Sequence, residues 1–287
     1  MSQTASQAQS RSTIEQQTVE GVLTFIVPQS DKPAFHSAAL TGGEPKVLFK
    51  TEERPVTITD MRPFAGALSI DKEGFELLKV PTDIKDFYDD AVIEDRYFEE
   101  IKKILRNRFN ANEVVIFDAT RRSDGGHGAE NPDGKRGPAR RVHVDYTANS
   151  GPQRVVDILG PGPAERLRDK RARIIQINVW RPIRGPVKRA PLALADAASV
   201  GKSELVATDQ VFPDRVGEIY HLAYAPTQKW YFAPEMDVDE VLLIKGWDSL
   251  GDGRAQYTPH GAFDLADTTS ETPPRESIEV RTLVFVE

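Results

Sequence analysis

His143 and Asp145 stand two residues apart in Arg141-Val142-His143-Val144-Asp145-Tyr146-Thr147, a run that alternates as a strand does. Successive strand side chains point to opposite faces, so an i, i+2 pair shares one face. An imidazole and a carboxylate held side by side supply two ligands of a 2-His-1-carboxylate facial triad, which suits non-haem Fe(II) and leaves metal positions free for small molecules. The third ligand has to be a distant histidine. His260, in Tyr257-Thr258-Pro259-His260, meets that need. His221, within the strand-like Ile219-Tyr220-His221-Leu222, competes with it, although a core histidine satisfied by hydrogen bonds is the plainer account of His221. His36 and His127 lie in loop-like surroundings, and Gly125-Gly126-His127-Gly128 matches no phosphate-binding loop.

A second stretch with chemical content is Pro274-Arg275-Glu276-Ser277. An arginine fork binds a carboxylate bidentately, and a nearby hydroxyl adds a third hydrogen bond. Such a group can hold the distal carboxylate of 2-oxoglutarate while its keto-acid end chelates iron. Arg281, on the same strand, is a rival anchor; its plainer reading is an ion pair with Glu279 or another carboxylate. The basic run Lys135 to Arg141 reads either as a solvated loop or as an electropositive approach for an anionic cosubstrate.

The elements that must position these residues are mostly strands. Gly21–Val27, Lys46–Lys50 and Arg54–Asp60 open the chain, and Ala65–Leu78 reads as loop and short strand. Pro81 to Phe109 carries an apolar stripe at helical spacing, and Asn112–Ala119 follows as a buried strand. The Gly- and Pro-rich stretch 123–138 reads as a mobile loop, a lid over the site together with 62–78. After the His-x-Asp strand come helices at Gln153–Leu159 and Ala164–Asp169, then a strand Ala172–Trp180 ended by Arg181-Pro182. Residues 183–203 read as a connection, followed by strands at Glu204–Thr208, Glu218–Tyr224, Lys229–Phe232, Glu240–Lys245 and Ser277–Val286. Many short strands with turn-rich joints favour a barrel or sandwich with helices outside: mainly β with flanking helices. Residues 1–17, rich in Ser, Thr and Gln, read as a disordered leader, and 18–287 as one domain.

Composition removes several alternatives. Zero cysteines exclude disulfides, thiolate zinc sites, iron–sulfur clusters and thiol nucleophiles, and fit a cytoplasmic protein. A formal charge of −7 argues against nucleic acid as a partner, and no long uncharged apolar run marks a membrane span. The sequence is compatible with a homodimer.

The chain resembles the fungal and bacterial hydroxylase/desaturase family of iron and 2-oxoglutarate oxygenases in secondary metabolism, whose relatives are linked to cephamycin methoxylation, gibberellin desaturation and endoperoxide formation on fungal meroterpenoids. The likeness runs from Thr18 to Val286. It is strongest at Val142-His143-Val144-Asp145, Asn178-Val179-Trp180-Arg181-Pro182, Tyr220 to Phe232 and Pro274 to Phe285. It implies a double-stranded β-helix (jelly-roll) core with Fe(II) on His143, Asp145 and His260. It implies 2-oxoglutarate held by Arg275 and Ser277, with Gln176 or Asn178 completing the pocket. Oxidative decarboxylation with dioxygen would then drive hydroxylation, desaturation or endoperoxidation of a lipophilic natural product. Trp180, Tyr224, Trp230, Tyr231 and Phe232 are pocket candidates, as is Tyr146, although most such aromatics in a barrel are core. Two other classes use the same residues differently. A zinc hydrolase would need the three ligands but not the Arg-x-Ser strand, and a non-catalytic jelly-roll interaction protein would need no metal at all.

Overall fold

The computed structural model describes residues 17–132, 134–169 and 172–287. Of the expected leader, all but Gln17 lies outside these residues, and the Gln17 carbonyl accepts the Asp60 amide at 2.8 Å. The strands are β1 (Thr18–Ile26), β2 (Ala34–His36), β3 (Lys46–Val47), β4 (Thr51–Asp60), β5 (Phe75–Lys79), β6 (Glu113–Ser123), β7 (His143–Val144), β8 (Arg173–Arg184), β9 (Leu192–Ala195), β10 (Leu205–Val211), β11 (Val216–Leu222), β12 (Trp230–Phe232), β13 (Glu240–Asp248), β14 (His260–Ala262) and β15 (Glu276–Val286). The α-helices are α1 (Ala38–Thr41), α2 (Asp90–Val92), α3 (Phe98–Phe109), α4 (Ser150–Leu159) and α5 (Pro161–Asp169), with a π turn, Ile93–Tyr97, between α2 and α3.

The strands form two sheets. The smaller runs β5-β13-β8-β15-β6, and the larger β1-β4-β12-β9-β14-β7-β11-β10-β2-β3. Alternation along β8 and β15 explains how they pack. Ile175, Ile177 and Val179, with Ile278, Val280 and Val284, face outward and are buried under Tyr97, Ile101 and Leu105 of the π turn and α3. The opposite set, Gln176, Asn178 and Trp180 with Ser277, Glu279 and Arg281, faces inward toward the larger sheet. Between the sheets Leu242, Ile244 and Trp180 meet Leu192, Leu194 and Met61. This is the double-stranded β-helix that the resemblance implied.

Several elements depart from expectation for physical reasons. The helix begins at Asp90 rather than Pro81, because Asp89 caps it by accepting the amides of Ala91 and Val92. Upstream, Thr82 and Asp86 side chains accept the amides of Ile84 and Tyr88, forming local turns that compete with helix. β8 continues through Pro182 to Arg184, since a register shift between Glu276 and Ser277 of β15 falls opposite the proline. The Pro/Ala-rich connection contains β9, which is buried throughout and so shows no alternation. Segment 62–78 is not a lid: Met61, Leu68 and Phe75 are core, and β5 is an edge strand paired with β13. The 123–138 loop is tied to β6, where the Asn131 side chain accepts the Arg121 amide at 2.7 Å and donates to its carbonyl at 2.9 Å.

Candidate metal centre

The larger sheet positions the histidines. His143 on β7 is paired directly with His260 on β14 and with His221 on β11, and β9 lies beyond β14 with Leu194 opposite His260. The expected strand at 141–147 is shorter in the ladder, yet Arg141 and Val142 remain extended alongside Thr24 of β1. Directly opposed residues of antiparallel strands point to the same side. The His143 and His260 rings accordingly lie 4.7 Å apart between centroids.

Both rings are fixed alike. His143 Nδ1 donates to the Arg141 carbonyl at 2.8 Å, and His260 Nδ1 donates to the Thr258 carbonyl at 3.0 Å. A proton held on Nδ1 leaves Nε2 as a bare acceptor, the form in which imidazole binds a metal. The Thr258 anchor is itself clamped, its hydroxyl donating to the Gly74 carbonyl at 2.6 Å. Gly74 has a φ of 90°, and a Cβ there would fall 2.3 Å from the Thr258 hydroxyl oxygen. Burial, reinforced by His260, pushes His143 down to about 3, which keeps it neutral.

Asp145 is fixed by the smaller sheet. Its Oδ2 accepts from Asn178 Nδ2 at 2.6 Å and from Arg281 Nε at 3.0 Å. Its Oδ1 remains 3.6 Å from His143 Nε2. Burial alone would push this carboxyl up, but Arg281, then His143 and His260, hold it well below the usual range, so it is ionised. One ligand atom each from His143, Asp145 and His260 lies within 4.8 Å of the other two. The donor set and the two bare imidazole nitrogens fit a single hard-to-borderline metal ion. His221 is apart from the cluster. It is buried, its Nδ1 pairs with the Thr208 hydroxyl at 3.0 Å, and its ring packs on Phe49 at 4.9 Å.

Behind the histidines a narrow cavity is lined by His143, His260, Trp180, Arg122, Arg275 and Glu279, among others. Arg275 is 2 % exposed; its Nη1 donates to the Ala190 carbonyl at 2.8 Å, its guanidinium lies 5.7 Å from the Trp180 ring, and its Nε has no partner among the described residues. A buried guanidinium with an unused donor, facing a cavity, fits an incoming carboxylate. Burial, aided by Arg122, lowers Arg275 to about 10, still fully charged at neutral pH. Arg122, directly across the ladder from Ser277, was missed in the sequence; its only signal there was the arginine pair Arg121-Arg122 at the end of a strand.

Other expected pocket residues divide. Ser277 is buried on the same strand face as Glu279 and Arg281. Asn178 is turned to Asp145 rather than to the Arg275 cavity, and Gln176 donates to the Gly151 carbonyl at 3.2 Å. Arg281 is committed elsewhere: besides Asp145 it pairs with Asp118 and, at 2.6 Å, with Glu279. Within the basic run, Arg140 pairs with Asp264 at 2.6 Å and Arg141 stacks on Phe35 and Phe49, while Arg136 lines a cleft on the Asp145 side. Trp230 and Phe232 are core, Tyr224 packs edge-on against Phe25, and Tyr231 lies against Phe75, so these four form no substrate pocket. Trp180 does line a cavity, but the one behind the histidines.

A second, open cleft of about 1300 Å³ reaches Asp145, Tyr146 and Arg281 from the other side. It is walled by Phe117 and Asp118 of β6, by α4, and by the β10–β11 hairpin. Arg281 lines both cavities.

A jelly roll with a His–Asp–His cluster, His260 buried and His143 and Asp145 partly so, has the donor set of a mononuclear non-haem iron centre. A family profile described as "Oxidoreductase/YMDC permease-like domain" matches residues 23–285. The "Hydroxylase/desaturase efuI" of Hormonema carpetanum is 32 % identical over 96 % of this chain and 97 % of its own. The "Fe(II)/2-oxoglutarate-dependent dioxygenase nvfI" of Aspergillus novofumigatus is 27 % identical over 93 % of this chain and 96 % of its own. A solved structure of the "iron and alpha-ketoglutarate-dependent endoperoxidase NvfI" superposes with a TM-score of 0.82 at 26 % identity, covering 94 % of this chain and 98 % of that one. The chain belongs to the fungal hydroxylase/desaturase family of Fe(II)/2-oxoglutarate-dependent dioxygenases.

Among the described residues no helix is long and apolar enough to cross a membrane.

Proposed function

We propose that residues 18–287 act as one jelly-roll oxygenase domain that binds Fe(II) through His143, Asp145 and His260 and oxidises a lipophilic natural-product intermediate of the meroterpenoid kind. The observation that carries this reading is the cluster itself: three ligand atoms within 4.8 Å, with both histidines oriented by backbone carbonyls. Fe(II) with 2-oxoglutarate and dioxygen supplies the oxidising power for an unactivated C–H bond, giving succinate and carbon dioxide.

The protein's own part is positional. Asn178 and Arg281 occupy the outer oxygen of Asp145 and so present Oδ1 alone to the metal. Arg275, with Arg122 beside it, supplies the positive charge that holds the distal carboxylate of 2-oxoglutarate, and Ser277 lies next to them. Arg275 rather than Arg281 is the anchor in this reading, because the donors of Arg281 are already engaged. The substrate enters by the open cleft, where Phe117, Tyr146, Ile158, Phe212 and Ile219 offer apolar contact next to Asp145. Hydroxylation, desaturation and endoperoxidation are set by how that cleft poses the reacting carbon. The absence of cysteine supports a cytoplasmic setting.

An anaerobic Fe(II) titration of metal-free protein, read by visible absorption with and without 2-oxoglutarate, tests the proposal. A charge-transfer band that needs both additions is the expected result. A folded protein that binds zinc but gives no band with Fe(II) and 2-oxoglutarate would overturn it.

A further inference from the structure

Accepting the oxygenase reading, we propose that the open cleft is built for an anionic, ring-bearing small molecule, whose acid group is bound by Arg154 with help from Arg215. The cleft wall carries both carboxylates and arginines. Arg281 engages Asp118 and Asp145, and Lys32 engages Asp209 at 2.5 Å and Glu218 at 2.7 Å. Asp157 accepts from Gln153 at 2.8 Å, and Asp214 is exposed at the hairpin tip. Arg154 and Arg215 are different. Neither has a carboxylate partner among the described residues, and each lies over a ring that also lines the cleft: Arg154 at 5.8 Å from Phe117, and Arg215 at 4.4 Å from Phe212.

Arg154 is half-buried on α4 and has Asp157 one turn along the same helix. An arginine preceding its acid is the weaker order for a helical pair, and here the guanidinium lies instead over Phe117, next to Asp118 on β6. Stacking on a ring restrains a guanidinium while leaving its edge N–H donors free, and that planar fork matches a carboxylate or sulfonate. Phe117, Phe212 and Tyr146 give the cleft rings as well as cations. A ligand with a hydrophobic body and an acid group satisfies both. A neutral lipophile of the same size would take water from the guanidinium forks without replacing its hydrogen bonds.

The probes are 8-anilinonaphthalene-1-sulfonate and its uncharged counterpart N-phenyl-1-naphthylamine, titrated by fluorescence into full-length protein loaded anaerobically with Fe(II) and 2-oxoglutarate. R154Q is expected to weaken the sulfonate about tenfold while moving the uncharged probe by less than about twofold, with R154K between wild type and R154Q. R215Q is expected to act in the same direction and less. No sulfonate binding by wild type, equal loss of both probes, or indifference of the sulfonate to R154Q would each overturn the proposal. The charge-transfer band is recorded on the same samples. Its absence in wild type defeats the oxygenase reading, whereas its presence without charge discrimination between the probes defeats this inference alone.

Discussion

The cavity behind the histidines and the open cleft in front of Asp145 meet at Arg281, but they are built differently. The rear cavity takes most of its side chains from the paired strands β6, β7, β8, β9, β14 and β15, and Arg275, the residue just before β15, is 2 % exposed at its wall. The cleft is walled mainly by α4, a hairpin and its turn, and several of its residues, among them Asp214 and Arg215, are exposed. Ladder hydrogen bonds fix the first set by register, because a one-residue slip would send every side chain to the other face. Hairpin tips and helix surfaces change shape without disturbing a ladder. On the proposed reading, the reagents common to a reaction class would be held by the sheet, and the substrate would be read by what hangs from it.

The comparison is most directly broken at the ligands. His143→Ala should abolish Fe(II)-dependent succinate formation from 2-oxoglutarate, measured under substrate-free and substrate-bound conditions alike; retained turnover would remove the metal from this site. Asn178→Ala should leave the fold intact and weaken Fe(II) or Co(II) binding roughly 10–100-fold in a metal titration, the range for residues that orient a ligand. Arg275→Gln should raise the 2-oxoglutarate dissociation constant by a factor of about ten to a hundred, corresponding to about 1.5–3 kcal/mol for a charged hydrogen bond. Arg122→Gln should cost less than Arg275→Gln, since Arg122 is the more exposed and already donates to the Gly137 carbonyl. An inverted order would exchange their roles.

The smallest effect concerns pH and spares activity. Burial, then His143 and Arg141, lower His221 from 6.5 to about 3. Between those values the unfolded chain binds the extra proton, so this group's contribution to stability is intact above about 6.5 and is lost as pH falls. In chemical denaturation of metal-free protein, His221→Gln should reduce the stability drop between pH 7 and pH 5 by about 2 kcal/mol. An unchanged drop would show that His221 is not held neutral in the fold.

What the sequence disclosed and what it hid follow the same division. His143, Asp145 and His260 were legible because their chemistry restricts residue type and because a strand keeps i and i+2 together. The helical stripe through Ile101 and Leu105 was legible because it is amphipathic. β9 was hidden, although it pairs with β14 beside His260, because Leu192 to Ala195 is buried throughout and leaves no period to read. Asn178 was picked out for the cosubstrate pocket, while the structure turns its amide toward Asp145. Nothing local reveals that it reaches Asp145, 33 residues away in sequence. Arg122 escaped notice because only the β6–β15 register brings it opposite Ser277. Trp230 and Phe232 carry the composition of a pocket, and only packing shows them filling a core.

The row His260–His143–His221 across three adjacent strands has a consequence for assembly. Because β7 and β14 contribute so few rungs, the ladder hydrogen bonds alone give little penalty against a slipped pairing there. A metal ion held by both Nε2 atoms and the Asp145 oxygen would bind only the correctly aligned chain. Its binding energy would then count toward that alignment and not toward the slipped alternatives. Such an ion would act as an alignment pin, and metal-starved protein should then show its earliest hydrogen exchange at these short central strands.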